Sequence, residues 1–428
     1  MRLPFVRAAW LAAALLLSAG CATRAPQHSV SAPPHEPATL LLISLDGVRA
    51  DYLQRGITPH LARLAREGVR AEWMNPSYPS LTFPNHYTLV TGLRPDHHGI
   101  ISNTMFDEHL GNFSLSDRDA VGDARWWSGE PIWVGAEKAG LRTATMFWPG
   151  SEAAVQSVRP THWFPFDKAF AIDDRVRQVQ AWLDLPATER PRLITLYFEH
   201  VDTAGHDNGP DSRNVEDTLK AVDAAVGRLV DDIDARGERD RVNIIVVSDH
   251  GMAATSPERV MAIEDRISPD DAEPVTVGQV VGFNPRPGHE DAAARQLLGR
   301  RDHAECWRKQ DMPARWHYGT HPRVPAIVCQ ADEGWLLVKR EAIERWRRNG
   351  WKGGGSHGYD PARPSMRAIF VARGPAFRQG VTVPGFDNVD VYPLLTRLLG
   401  ITPAPNDGDA RTLLPVLNAA GAASPHSH

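Results

Sequence analysis

Continuous apolar runs alternate with helical periodicity along most of this chain. Thr39–Leu45 is uncharged, bounded by a proline-rich segment on one side and by Asp46-Gly47 on the other; this pattern predicts a strand buried on both faces, with Asp46 at its carboxyl end. Thr58-Pro59 then opens a helix with a capping residue and a proline in the first turn, Leu61, Leu64 and Ala65 share a face, and Gly68 ends it. The same alternation predicts strands at 143–147, 193–198 and 242–247 and helices at 176–185 and 215–233, the second repeating Val215, Leu219, Val222, Val226, Leu229 and Ile233 at three- and four-residue steps. A strand at 368–372 and a helix at 389–399 complete the series. Strand followed by helix throughout predicts an α/β fold with a mostly parallel central sheet flanked by helices on both faces. Between residues 257 and 350 the alternation gives way to Arg, Asp, Pro and Trp with short strand-like pieces at 324–329 and 335–338, as expected of a smaller inserted α+β subdomain. The main domain is expected over 38–416, with 417–428 a disordered tail whose histidines are solvated. No internal repeat is present.

The chain start has a different character. Residues 1–21 place Arg2 and Arg7 before a short apolar run and end in Leu17-Ser18-Ala19-Gly20-Cys21. The run is too short to span a bilayer, so this is read as an export signal. Its end resembles a bacterial lipoprotein cleavage site, with Cys21 as the lipidated residue, although Ser18 departs from the usual leucine and leaves ordinary cleavage with release into the periplasm open. Residues 22–37, rich in Pro, Ser, Ala and His, read as a disordered tether. Two cysteines remain, Cys306 and Cys329, and in an exported chain an even remainder points to a disulfide between them. The formal charge of −5 falls to −7 once Arg2 and Arg7 leave, which argues against a nucleic-acid groove. Membrane contact is expected only through a lipid anchor, and the sequence sets no oligomeric state.

Candidate chemistry collects at the carboxyl ends of the expected strands, where ligands bind in sheets of this class. Asp202 and His206 are four residues apart, so one helical turn aims both at one ion. Asp249-His250 follows a buried strand and precedes Gly251, and His357 lies in the glycine-rich Gly353-Gly354-Gly355-Ser356-His357-Gly358. Thr82, in Pro79-Ser80-Leu81-Thr82-Phe83-Pro84-Asn85-His86, would alone be a turn or helix-cap residue. With six ligand-type residues elsewhere it becomes a candidate nucleophile, since a threonine hydroxyl needs a base or metal to ionise at neutral pH.

Taken together, Ser44-Leu45-Asp46-Gly47, the Thr82 stretch, His98-Gly99-Ile100 with Asn103, residues 199–206, Ser248-Asp249-His250-Gly251-Met252 and Gly355-Ser356-His357-Gly358 resemble the alkaline phosphatase superfamily. Within it, they resemble the nucleotide pyrophosphatase/phosphodiesterase family. The resemblance implies an alkaline phosphatase-like fold and two Zn2+ ions per chain, one held by Asp202, His206 and His357, the other by Asp46, Asp249 and His250 together with Thr82. It further implies attack by Thr82 on a nucleotide or other phosphodiester. Asn103 and the Phe83 amide would hold a phosphate oxygen, and Phe83, Phe166 and Tyr197 would stack a base. A sulfatase is disfavoured because Thr82 stands at the nucleophile position and His86 where an arginine is needed. A phosphomonoesterase, or a phosphodiesterase acting on glycerophosphodiester or lipid head groups, shares the same metal logic. A non-catalytic binding lipoprotein would have no use for a nucleophile beside two ligand sets.

Overall fold

The computed structural model describes residues 38–422. The expected signal over 1–21, the tether over 22–37 and Cys21 lie outside the described residues, as do 423–428.

Thr39–Leu45 (β1) forms the middle of an eight-stranded sheet. It pairs in parallel with Leu193–Phe198 (β2) on one side and Val242–Val247 (β3) on the other. Beyond β2 lie Thr143–Met146 and His162–Phe164, both parallel. The period of two divides β1 between two cores: Leu40 and Leu42 pack on one face of the sheet, Leu41, Ile43 and Leu45 on the other. Beyond β3, Phe370–Arg373 runs antiparallel to both its neighbours, β3 and Val69–Ala71, so the sheet is mixed on that side. Strand polarity cannot be read from a hydrophobic run, yet the expected mostly parallel sheet holds: Val69–Ala71 pairs in parallel with Val381–Val383 at the far edge, and Phe370–Arg373 is the one antiparallel strand of the eight.

The helices that position the site are Pro59–Glu67 (α1), Thr82–Thr91 (α2), Ile172–Leu183 (α3), His200–Asn208 (α4) and Arg213–Ala235 (α5). Helix α3 begins earlier than the expected 176, because Asp173 and Asp174 fill a first turn where negative charge is favourable. Helix α5 buries its apolar stripe against the sheet and carries one buried carboxylate, Asp223. Its oxygens accept from His60 N at 3.0 Å and Leu61 N at 2.8 Å. Thr58 makes no side-chain cap for α1, so α5 supplies that cap from outside.

Within the insertion, Ala272–Pro274, Val280–Pro285, Ile327–Ala331, Ala304–Arg308 and Gly299–Arg301 form an antiparallel sheet in that order. Ile327–Ala331 starts later than the expected 324 because Pro325 has no N–H to give a ladder. Cys306 and Cys329 stand opposite each other on neighbouring strands and are joined in a disulfide. The helix Arg340–Arg348 (α6) follows on the outside of this subdomain. The chain end also corrects the expected tail. Leu417 is buried, Asn418 Nδ2 donates to Pro375 O at 2.8 Å, and Ala419–Ala422 form a short helix, so the ordered domain passes 416.

Two stability predictions follow from these contacts. Asp223→Ala leaves two first-turn amide donors of α1 unpaired, that of Leu61 buried and that of His60 half-buried, and is expected to lower stability by about 1–2 kcal/mol, measured by urea unfolding. Replacing both Cys306 and Cys329 by alanine frees a loop whose closure contributes about 3 kcal/mol in the chain-entropy model, so the oxidised wild type should show a higher midpoint than the double variant, with the difference absent under reductant.

Candidate active site

β1, β2 and β3 each end at a chemically active residue. Asp46 follows β1, Asp249-His250 follow β3, and β2 runs into α4, which carries Asp202 and His206 one turn apart. Gly47 lets these ends meet: its φ is +71°, and a Cβ there would stand 2.9 Å from Asp202 Cα. His357 arrives from the strand Gly354–Ser356, which lies so close to α4 that a Cβ on Gly355 would stand 2.6 Å from Gly205 O. The glycine-rich loop therefore brings backbone to the site, as its composition predicts.

Two groups of side chains result. Asp202, His206 and His357 bring ligand atoms within 4.8 Å of one another, facing solvent through His206. His206 Nε2 and His357 Nε2 are 3.1 Å apart, and His357 Nε2 is 3.5 Å from Asp202 Oδ1. The second group centres on His250 Nε2, which stands 2.9 Å from Asp249 Oδ2, 3.2 Å from Thr82 Oγ1 and 3.5 Å from Asp46 Oδ1. The His250 and His357 rings stack with centroids 3.6 Å apart, so the two groups adjoin.

Each histidine is fixed in the same way. Nδ1–H donates to a backbone carbonyl, Gly355 O for His206, Gly251 O for His250 and Ser80 O for His357, at 2.8–2.9 Å. That bond leaves each Nε2 lone pair directed at the carboxylates, the orientation that metal-ligating histidines adopt. Burial, then the His250 and His206 charges, press His357 well below the ordinary imidazole value, which keeps it neutral.

Burial and neighbouring carboxylates strain Asp46 and Asp202, whereas against its burial His250 and His86 hold Asp249 well below the usual carboxylate range. Asp46, Asp202 and Asp249 each have one buried oxygen without a hydrogen bond. Burial and the neighbouring Asp249 and Asp202 charges hold Asp46 well above the usual carboxylate range. Uncompensated carboxylates packed like this are costly, and a multivalent cation is the partner that satisfies several at once. The mixed oxygen and nitrogen donor set suits zinc or a similar divalent ion.

Thr82 is the first residue of α2, where its hydroxyl meets the second group and the helix N-terminus favours an anion. The Phe83 amide, expected to be free for a phosphate oxygen, instead donates to Asn103 Oδ1 at 2.9 Å. An unliganded first-turn amide is satisfied by whichever acceptor is near. Beside Thr82 a cavity is walled by Phe83, Phe166, Tyr197, Trp148, Glu199 and Lys168. Phe83 and Phe166 thus stand where a planar group could lie. Tyr197 does not fit the expected stacking role: it is buried, its ring meets His86 and Phe166 edge-on, and its hydroxyl donates to Asp46 Oδ2 at 2.5 Å.

Two residues escaped the sequence reading. His86 is grouped with Asp46 and Asp249, but both its nitrogens are committed, Nε2 to Ser44 Oγ at 2.8 Å and Nδ1 to Thr82 O at 2.9 Å, so it anchors the start of α2. Its place one turn after Thr82 was the available signal. Arg175 of α3 is buried and forks onto Glu199, with 2.6 and 3.0 Å bonds, while also donating to Tyr197 O. It pins the junction of β2 and α4, and nothing local in the sequence pairs it with Glu199.

Residues 40–360 match the family model of type I phosphodiesterase / nucleotide pyrophosphatase. The chain is 37% identical over 391 residues to an uncharacterized pyrophosphatase/phosphodiesterase of Schizosaccharomyces pombe, covering 89% of this chain and 80% of that one. It is 38% identical over 387 residues to bovine ectonucleotide pyrophosphatase/phosphodiesterase family member 3, and 38% over 384 residues to a venom phosphodiesterase of Naja atra. Those matches cover 86% and 87% of this chain but only 43% and 45% of the relatives, so the chain spans less than half their length. All three are eukaryotic. Among solved structures, murine ectonucleotide pyrophosphatase/phosphodiesterase 5, an inactive threonine-to-alanine variant in complex with AMP, superposes with a TM-score of 0.84 at 33% identity, covering 90% of this chain and all of that one. The fold, the converging ligand-type side chains and these matches place the chain in the type I phosphodiesterase/nucleotide pyrophosphatase family, hydrolases of phosphodiester bonds.

Proposed function

We propose that this chain hydrolyses nucleotide phosphodiester or phosphoanhydride bonds and releases nucleoside 5′-monophosphate through a covalent intermediate on Thr82. The observation that carries this reading is the place of Thr82 Oγ1, at a helix N-terminus and 3.2 Å from His250 Nε2, inside a cluster of carboxylates and imidazoles. Asp202, His206 and His357 would hold one zinc ion, and Asp46, Asp249, His250 and Thr82 a second. Two such ions supply Lewis acidity that favours the alkoxide, the departing oxygen and a hydroxide at neutral pH.

The chain's own groups do the rest. Thr82 Oγ, once ionised, forms a bond to phosphorus as the opposite P–O bond breaks, and the leaving oxygen takes up a proton. Water then displaces Thr82 from phosphorus, giving the monophosphate and restoring the hydroxyl. His86, bonded to Thr82 O, fixes the first turn of α2 from which the attack is made. Asn103 holds the Phe83 amide and leaves its carboxamide N–H groups to donate to a non-bridging oxygen. Tyr197 orients Asp46. Phe83 and Phe166 would receive the base by stacking, which tolerates any base. A nucleotide substrate is supported by the AMP bound in the murine structural neighbour.

Two measurements test this. Thr82→Ala should keep its zinc by elemental analysis yet lose turnover of bis-p-nitrophenyl phosphate by roughly three orders of magnitude or more, whereas normal turnover removes the nucleophile assignment. Zinc-loaded wild type should cleave that diester and a dinucleotide well and p-nitrophenyl phosphate poorly. Preference for the monoester, or reaction only with glycerophosphodiesters, would keep Thr82 but remove the base-binding role of Phe83 and Phe166.

A further inference from the structure

Helix α6 and the turn behind it carry a charge that the candidate site does not use. Lys339, Arg340, Arg345, Arg347, Arg348 and Lys352 stand against Glu341 and Glu344, a local balance of +4 in a chain whose formal charge is −5. All eight side chains are exposed, and no residue of α6 is buried. Arg340 pairs with Asp265, and Arg348 reaches Glu344 at 4.0 Å. Among the described residues, Lys339, Arg345, Arg347 and Lys352 have no carboxylate within ion-pair distance. Cations in the last turn complement the helix dipole, but Lys339 and Arg340 sit at the opposite end, where positive charge is unfavourable. Helix stability therefore does not account for the set.

The same segment presents aromatic surface. Trp346 and Trp351 are half-buried and pack with ring centroids 4.8 Å apart, and Ile343 lies half-buried one turn before Trp346. A short amphipathic helix whose exposed side carries this excess of cations, with Ala342, Ile343 and Trp346 on the opposite, half-buried side, suits a surface of anionic headgroups. A long polyanion fits less well. Nine helical residues reach only about 14 Å along the axis, and the rest of the chain is acidic. The export signal expected from the sequence, whether it ends in lipidation or release, would bring the domain to a membrane-bounded compartment. We propose that α6 docks the domain on an anionic phospholipid surface, with Lys339, Arg345, Arg347, Arg348 and Lys352 over the headgroups.

The test is co-sedimentation of the full chain with vesicles of phosphatidylcholine alone or mixed equally with phosphatidylglycerol. Wild type should prefer the anionic vesicles, and added salt should weaken that preference. A lipid anchor would insert into both kinds of vesicle, so the difference between them reports α6. The triple change Arg345→Glu, Arg347→Glu and Arg348→Glu should lower affinity for anionic vesicles by roughly a hundredfold. Hydrolysis of bis-p-nitrophenyl phosphate in solution should be unchanged. If the triple variant does not fold, Arg345→Gln with Lys352→Gln should give a smaller loss of the same sign. Equal binding to both vesicle types, or an unchanged preference in a folded variant, overturns the proposal. Tight binding of single-stranded DNA without any vesicle preference would assign the patch to a polyanion and also overturn it.

Discussion

Three carboxylates held together at the carboxyl edge of a buried sheet are the costliest feature of this structure, and much of the fold serves to keep them there. Asp46 and Asp249 are buried, Asp202 reaches in from α4, and each has an oxygen that no donor satisfies. Like charges at that density do not persist without help from a cation. The surrounding groups are arranged to permit one. Gly47 N donates to Asp249 Oδ1, Tyr197 donates to Asp46, and three imidazoles are locked by backbone carbonyls with their free nitrogens inward. The parallel pairing of β1 with β2 and β3 makes this economical, because neighbouring strands deliver their ends to one place.

The same arrangement explains why Thr82 is placed on a helix of its own. Helix α2 is buried along nearly its whole length, and His86 ties its first turn to β1 through Ser44. In the proposed reaction Thr82 must stay in line with a phosphorus atom, and a rigid support serves that role, since small misplacements cost much of the advantage of proximity. Arg175 plays the corresponding part on the opposite side. Its fork to Glu199 fixes the junction from which Asp202 and His206 emerge. The cavity wall therefore rests on two buried polar networks, which flank the reacting centre.

Much of this was legible in the sequence because it depends on local pattern. Uninterrupted apolar runs gave β1, β2 and β3 at their observed bounds, and the residues just past them are the ones that converge. The two cysteines that an exported chain was expected to pair, Cys306 and Cys329, are joined in a disulfide. What the sequence hid is non-local. The antiparallel turn of Phe370–Arg373, the capping of α1 by Asp223 from a helix far along the chain, and the Arg175–Glu199 fork depend on how distant segments meet. Tyr197 shows a subtler failure: an aromatic near a nucleotide-type pocket invites a stacking role, yet its buried ring leaves only the hydroxyl to act, and that points at Asp46.

The central claim is that phosphorus is transferred first to Thr82 and only then to water. The stereochemical course at phosphorus tests it most directly, using a nucleoside phosphorothioate diester of known configuration hydrolysed in isotopically labelled water. Two successive in-line displacements leave the configuration retained, and that is the result expected here. Inversion would mean that water attacks the substrate in a single step, and Thr82 would then have no covalent part in the reaction.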